Sequence, residues 1–166
     1  KTYAQRKVEL KEALRARNPE ALTWLRLHFM FGPGEWPSRV IPAAIRAALA
    51  GDEFICGSLD RRRRWLHVED QANYLGRFLK SPQDGDWDIA GRHDVSFRDL
   101  LTLVGRATER KLQVKESDAP APDSKLPFIV PERIACFAPA EPAEPATLLQ
   151  RLKEYSAQLI GASTQV

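Results

Sequence analysis

Residues 26–34 read RLHFMFGPG, an apolar run that passes directly into a Gly-Pro-Gly loop. The whole run from 22 to 31 predicts a buried strand, and residues 32–34 predict the loop that ends it. In an open parallel sheet, ligands bind outside the carboxyl ends of the strands. A loop that leaves such a strand is well placed to line a pocket, although the same residue types also make an ordinary exit turn.

On both sides of this strand the pattern alternates between helix and strand. Helices are predicted over 4–17, 40–50, 69–79 and 97–109, the first stopped by Asn18-Pro19, the second closed by Gly51 and the last capped by Ser96. Short strands are predicted over 53–56, 65–68, 87–90 and 112–114. Strands that alternate with helices of this length predict an α/β fold.

Proline changes the character of the chain after residue 117. Seven of the twelve prolines fall between residues 120 and 145, and such a density cannot continue a helix or a central strand. Residues 118–146 are therefore predicted to be irregular, with a short apolar element around 128–130. Leucines and a tyrosine at helical spacing over 147–160 predict an amphipathic C-terminal helix.

Composition excludes several classes of protein. The 166 residues carry 25 Lys and Arg against 22 Asp and Glu, and 43% are hydrophobic, which is the ordinary globular range. No apolar run is long enough for a membrane span, and a net charge of +3 does not by itself imply nucleic acid. Cys56 and Cys136 lie far apart without metal-ligand spacing, and neither they nor the three histidines predict a metal site. Such cysteine usage favours the cytoplasm.

Tyr3 and Lys7 form a Tyr-x-x-x-Lys pair at the start of the first predicted helix. Residues at i and i+4 share one helix face, so the ammonium lies close to the phenol. A neighbouring cation favours the phenolate form, which makes a phenol a workable acid or base for a carbinol or carbonyl proton. The same spacing also arises by chance in many helices.

Four consecutive arginines, Arg61–Arg64, precede the predicted strand over 65–68. This run is compatible with a solvated charge cluster or with a nucleic-acid patch. If one or two of its side chains point inwards, it is also compatible with binding a diphosphate. A nucleic-acid surface also needs stacking aromatic side chains, and only Trp65 is adjacent.

The order of these motifs is more specific than any one of them. Tyr3-x-x-x-Lys7 is followed by RLHFMFGPG (26–34), VIPAAIRAALAG (40–51), RRWLHVEDQA (63–72) and WDIAG (87–91). From residue 3 to about residue 114 this succession resembles the C-terminal half of the extended short-chain dehydrogenase/reductase family, the NAD-dependent nucleotide-sugar epimerases and dehydratases. Residues 32–74 are particularly similar to sugar-nucleotide 4,6-dehydratases. The resemblance implies an α/β fold, namely the C-terminal part of a doubly wound Rossmann-type parallel sheet with a small substrate-binding lobe.

The resemblance also implies roles for individual residues. Tyr3 matches the catalytic tyrosine of the family, and Lys7 matches the lysine that promotes its ionisation and hydrogen-bonds the nicotinamide ribose of NAD or NADP. Arg63 matches the arginine that grips the substrate diphosphate, and Arg39 lies where some members place a further basic contact. The loop with Gly32 and Pro33 would border the nicotinamide and the substrate.

The departures from the family pattern concern the substrate contacts and the cofactor motif. Phe29 replaces an asparagine that contacts substrate, Phe31 replaces a tyrosine, and Arg64 replaces an aspartate. No G-x-x-G-x-x-G is present. The resemblance therefore implies that this chain holds only the second half of a site and that the N-terminal half of the fold is missing from it.

The resulting expectation is an NAD(P)-dependent oxidoreductase, epimerase or dehydratase acting on a nucleotide sugar, present as a C-terminal fragment that is inactive alone. The alternative is a non-catalytic binding or scaffolding member of the same fold. A homodimer formed through the first helix is expected. Neither a nucleic-acid partner nor a membrane partner is expected. The expected organisation is the end of the cofactor domain (1–31), a substrate-binding lobe with returning Rossmann elements (32–117), the proline-rich segment (118–146) and a C-terminal helix and tail (147–166).

Overall fold

The computed structural model describes residues 2–117 and 145–163. Its helices are α1 (Tyr3–Arg17), α2 (Val40–Ala50), α3 (Val68–Lys80), α4 (Phe97–Thr108) and α5 (Pro145–Ser163). Its strands are β1 (Thr23–Leu27), β2 (Met30–Phe31), β3 (Glu53–Cys56), β4 (Arg62–Arg63), β5 (Leu66–His67), β6 (Gly85–Ile89), β7 (Val95–Ser96) and β8 (Gln113–Glu116). The mixture of helices and mainly parallel strand pairs confirms the α/β class.

The strands associate in four pairs within the described ranges. β1 pairs with β6, β2 with β5 and β3 with β8, all parallel, whereas β4 and β7 are antiparallel. β1 and β6 make the longest of the four ladders, from Thr23 opposite Gly85 to Leu27 opposite Ile89. This ladder brings the carboxyl ends of two strands to one edge.

The single strand expected over 22–31 is wrong in one respect, because the chain changes partners in its middle. β1 ends at Leu27, and β2 resumes only at Met30. The backbone N–H of His28 still donates to the carbonyl of Ile89 at the end of β6, whereas the carbonyl of Phe29 accepts from the N–H of Leu66 in β5. The two residues between the strands therefore bridge two separate ladders.

Local capping explains where the helices begin and end. Thr2 forms a capping box with Gln5 at the start of α1, and Asn18 ends that helix. The hydroxyl of Ser96 accepts from the N–H of Asp99, which confirms Ser96 as the N-cap of α4. His67 caps α3 by accepting from the N–H of Glu69, so the strand expected over 65–68 ends one residue earlier than predicted.

The proline-rich segment was expected to run to residue 146, but α5 already begins at Pro145. A proline is tolerated at the first helical position because no intrahelical bond needs its missing N–H. The apolar element expected around 128–130 lies outside the described residues. Within the parts of the chain that are described, no helix is long and apolar enough to cross a membrane.

Two clusters of buried side chains stabilise the fold. The larger one joins α2, α4 and α5 through residues such as Ile45, Val104 and Leu152. The smaller one, with Phe78 and Ile89, lies between α3 and the β1–β6 pair. None of the residues of α1 is buried, so this helix contributes to neither cluster.

Candidate functional site

Helix α1 is held to the start of the β1–β6 ladder by charged side chains. Arg15 donates to Asp84 at 2.6 Å and to the carbonyl of Leu22 at 3.2 Å. One turn closer to the N-terminus of the helix, Lys11 forms an ion pair with Asp86 of β6. The helix therefore runs antiparallel to both strands, with its N-terminus towards their carboxyl ends.

This register places the N-terminus of α1 near the carboxyl edge of the ladder. Four residues of a helix rise about 6 Å, and two residues of a strand rise about 6.6 Å. Each turn of the helix therefore advances about as far along the ladder as two residues of the strand. Because Lys11 pairs with Asp86, Lys7 lies about level with Asp88. Tyr3, one turn further, lies about level with the end of β6.

Tyr3 and Lys7 meet on the surface of α1, as their spacing predicted. The ammonium nitrogen of Lys7 lies 5.5 Å from the centre of the Tyr3 ring, a cation–π distance. The Tyr3 side chain is 76% exposed. Both polar groups are therefore accessible to a bound molecule.

Phe29 and Arg63 form the corresponding pair at the carboxyl end of β1. The guanidinium carbon of Arg63 lies 4.9 Å from the centre of the Phe29 ring, and that ring packs edge-to-face on Trp65 at 5.6 Å. Phe29 is 38% exposed and Trp65 is buried. The guanidinium group of Arg63 therefore packs on an aromatic ring at this edge of the molecule.

The arginine run is divided between different partners. β4 places Arg62 and Arg63 on opposite faces, and the exposed Arg62 pairs with Asp94 at 3.0 Å. Arg61 lies over the ring of Phe97 at 5.8 Å. Arg63 packs over Phe29, and its expected grip on a diphosphate stays a prediction.

Arg39 precedes α2 and lies 3.6 Å from the carboxylate of Glu35. The Glu35 side chain is largely buried, and this burial raises the pKa of its carboxyl group against the opposing effect of Arg39. The described contacts do not bring Arg39 to Arg63, and its expected role beside that residue stays a prediction.

Gly32 packs against the start of α3. Its φ is +140°, and a Cβ there would lie 2.7 Å from Val68 and 3.0 Å from the ring of His67. Only glycine fits this approach, so the residue is explained by packing inside the protein. The expected contact of Gly32 and Pro33 with a nicotinamide stays a prediction.

A buried ion network beside this site was missed by sequence reasoning. Asp88 accepts from Arg26 at 2.9 and 2.7 Å with its two oxygens and lies 2.9 Å from Nε2 of His28. Burial opposes ionisation of Asp88, but the bonds from Arg26 and His28 outweigh it and lower the pKa of the carboxyl group. The sequence contains one signal for this network: acidic residues alternate along β6, and the basic residues Arg26 and His28 alternate along the opposite segment. That pattern is informative only once the register of β1 and β6 is known.

The comparisons with known proteins identify a family and a fold. The model of the NAD dependent epimerase/dehydratase family matches residues 1–90. UDP-N-acetylglucosamine 4-epimerase from Methanobrevibacter ruminantium, solved with UDP-N-acetylmuramic acid, is 20% identical with a TM-score of 0.81, over 96% of this chain and 54% of that one. RMD from Pseudomonas aeruginosa, complexed with NADPH, is 19% identical with a TM-score of 0.63, over 86% of this chain and 49% of that one.

A third similar structure is UDP-glucose 4-epimerase from Thermus thermophilus in complex with NAD. It is 18% identical with a TM-score of 0.57, over 69% of this chain and 39% of that one. No curated protein matches. The chain thus spans about half the length of the first two structures, and the likeness to all three concerns the fold.

Proposed function

Since the chain belongs to the NAD dependent epimerase/dehydratase family, we propose that it takes part in hydride transfer between a nicotinamide cofactor and a nucleotide sugar. The observation that carries the proposal is the Tyr3–Lys7 contact at the N-terminus of α1. The register of that helix directs it to the edge where Phe29 and Arg63 lie.

In this proposal Tyr3 is the proton-transfer residue. Its phenolic oxygen gives a proton to, or takes one from, the carbinol or carbonyl group of the sugar. The ammonium nitrogen of Lys7 lies 5.5 Å from the centre of the Tyr3 ring, so the same helix face presents a cation to the molecule that Tyr3 contacts. Arg63, with Arg39 as a further basic contact, binds the substrate diphosphate, for which the planar guanidinium fork is suited.

The residues present fit one end of a nicotinamide cofactor, either NAD or NADP. The cofactor supplies the hydride donor or acceptor. The exposed phenol of Tyr3 and ammonium of Lys7 suit the hydroxyl groups of a ribose. The pyrophosphate end needs a glycine-rich turn at a helix N-terminus, and the sequence contains no G-x-x-G-x-x-G.

We therefore propose that the N-terminal half of the same fold completes the site from outside this chain. The free edge of β1 supports this, because within the described residues β1 pairs with β6 alone. An unpaired edge presents N–H and C=O groups that a further strand can bond. Helix α1, with Val8 and Leu10 exposed, supports a homodimer contact. We also propose a cytoplasmic location, because the buried Cys56 forms no disulfide within the described residues.

The alternative proposal is a binding or scaffolding member without turnover. It is favoured by Phe29, which stands where the family carries an asparagine and whose ring is covered by Arg63. An aromatic ring cannot replace the hydrogen bonds of an amide side chain.

The experiment is an assay of the natural protein that contains this chain, with UDP- and dTDP-sugars, in which chromatography separates the product sugar nucleotides and absorbance of the reduced nicotinamide reports any net reduction. Tyr3→Phe is expected to lower kcat by about 10²- to 10⁴-fold, the range of general acid–base catalysis. Tyr74→Phe, on α3, is the matched control and keeps turnover. Equal turnover in both variants contradicts the role of Tyr3, and sugar-nucleotide binding without turnover in the wild type favours the scaffold.

A further inference from the structure

A cavity of about 540 Å³ lies along α4, β8 and the turn that joins them, in a region that the proposed reaction does not use. We call it the α4–β8 groove. Its apolar floor includes Leu101, Leu112 and Val114, of which Leu101 is buried and Val114 is 37% exposed. The groove therefore offers apolar surface that a second molecule can cover.

The wall of the groove is built by an unusual turn at the end of α4. Glu109 has a φ of +54°, the only positive φ at a non-glycine residue in the described ranges. The N–H of Arg110 donates to the carbonyl of Gly105 at 3.1 Å, and a Cβ on Gly105 would lie 3.1 Å from the carbonyl oxygen of Arg110. The turn is thus folded tightly onto the last turn of the helix, in a conformation that costs about 1 kcal/mol or more at a glutamate.

Positive charge surrounds this floor. Arg106, Arg110 and Lys111 line the groove and are exposed, and none of them has an ion-pair partner within residues 2–117 and 145–163. Arg98, at the other end of the helix, lies 3.3 Å from the exposed Asp60. The helix dipole accounts for cations in the last turn of α4, but not for one in its first turn.

We propose that the α4–β8 groove docks an acidic, amphipathic segment of a partner protein. Carboxylates of the segment would meet Arg98, Arg106, Arg110 and Lys111, and its apolar side chains would cover the floor. The twelve residues of α4 extend about 18 Å, enough for five or six residues of extended peptide.

The lining favours a polypeptide over a nucleic acid. A nucleic acid uses cations with aromatic platforms on which bases stack, and none of the side chains that line the groove is aromatic. An apolar floor contributes to binding only when apolar side chains cover it.

The test is fluorescence anisotropy with a labelled 12-residue peptide of alternating Glu and Leu, added to the 166-residue chain. Arg106→Glu/Arg110→Glu is expected to weaken binding at least tenfold. Arg6→Glu/Arg17→Glu, two exposed arginines of α1, changes the net charge equally and leaves the affinity within about twofold. Thr102→Trp fills the groove without changing its charge and also weakens binding at least tenfold, with folding of each variant checked by circular dichroism.

Four binding results overturn the proposal. They are no binding of the Glu/Leu peptide at about 100 μM, equal loss in the α1 control, equal affinity for a Glu/Ser peptide of the same charge, and equal or tighter binding of single-stranded DNA of the same charge. Sedimentation that shows the wild type self-associating through the groove, with the Arg106→Glu/Arg110→Glu variant monomeric, also overturns it, because the occupant is then a second copy of the chain.

Discussion

At the scale of single residues, Asp88 illustrates how a buried charge is accommodated near the candidate site. Its side chain is only 4% exposed, and both oxygens have partners. Asp88→Asn removes charge-assisted hydrogen bonds from Arg26 and His28. Arg26, however, is 48% exposed and keeps Asp86 as a second partner. The substitution is therefore expected to lower the free energy of unfolding by about 1–2 kcal/mol at pH 7, measured by urea denaturation. Asp84→Asn, at an exposed pair, is the control and is expected to cost less than Asp88→Asn.

The same residue predicts a pH dependence. The folded pKa of Asp88 is lowered, whereas an unfolded aspartate has a pKa near 3.9. The stability that Asp88 contributes is therefore fully present above about pH 5 and is lost as the pH falls through the folded pKa. The difference in unfolding free energy between wild type and Asp88→Asn should shrink as the pH falls below about pH 4. A difference that stays constant down to pH 3 contradicts the assignment.

At the scale of elements, the turn after β6 packs directly against the backbone beside β5. A Cβ at Gly91 would lie 2.0 Å from the carbonyl oxygen of Trp65, so Gly91→Ala requires the two segments to separate. We expect a loss of about 3 kcal/mol or more, since overpacking shifts backbone as well as side chains. Gly76→Ala, in α3, meets nothing within 4 Å and is expected to stabilise by about 0.5–1 kcal/mol. Thermal unfolding of both variants measures these effects, and equal Tm values for Gly91→Ala and Gly76→Ala contradict the prediction.

The elements also show why some features could be predicted from sequence and others could not. The helix ends at Asn18 and Ser96 follow from local caps, and the Tyr3–Lys7 contact follows from i, i+4 spacing alone. The break in the strand at 28–29 arises from the pairing of β1 and β2 with different strands, which is a tertiary event. The Asp88 network depends likewise on the register between β1 and β6. Local physics thus predicted the elements and one pair of site residues, but not the contacts between elements.

At the scale of the whole molecule, the buried side chains are unevenly distributed. The larger core lies between α2, α4 and α5, whereas α1 is held to the β1–β6 ladder by ion pairs at its C-terminal half. The part of α1 that carries Tyr3 is accordingly exposed. An exposed helix end of this kind binds little on its own, because a ligand there meets groups from one side only.

This distribution predicts the behaviour of the 166-residue chain towards NAD. The groups available to the cofactor are Tyr3 and Lys7 at one end of a surface helix, and no glycine-rich turn is present to hold its pyrophosphate. We expect a dissociation constant weaker than about 1 mM, which corresponds to less than about 4 kcal/mol of binding free energy. Isothermal titration calorimetry measures it, and Lys7→Met removes the cation that lies 5.5 Å from the centre of the Tyr3 ring. A low-micromolar dissociation constant contradicts the proposal that this chain holds half of the cofactor site, because the pyrophosphate would then have a binding surface within these residues.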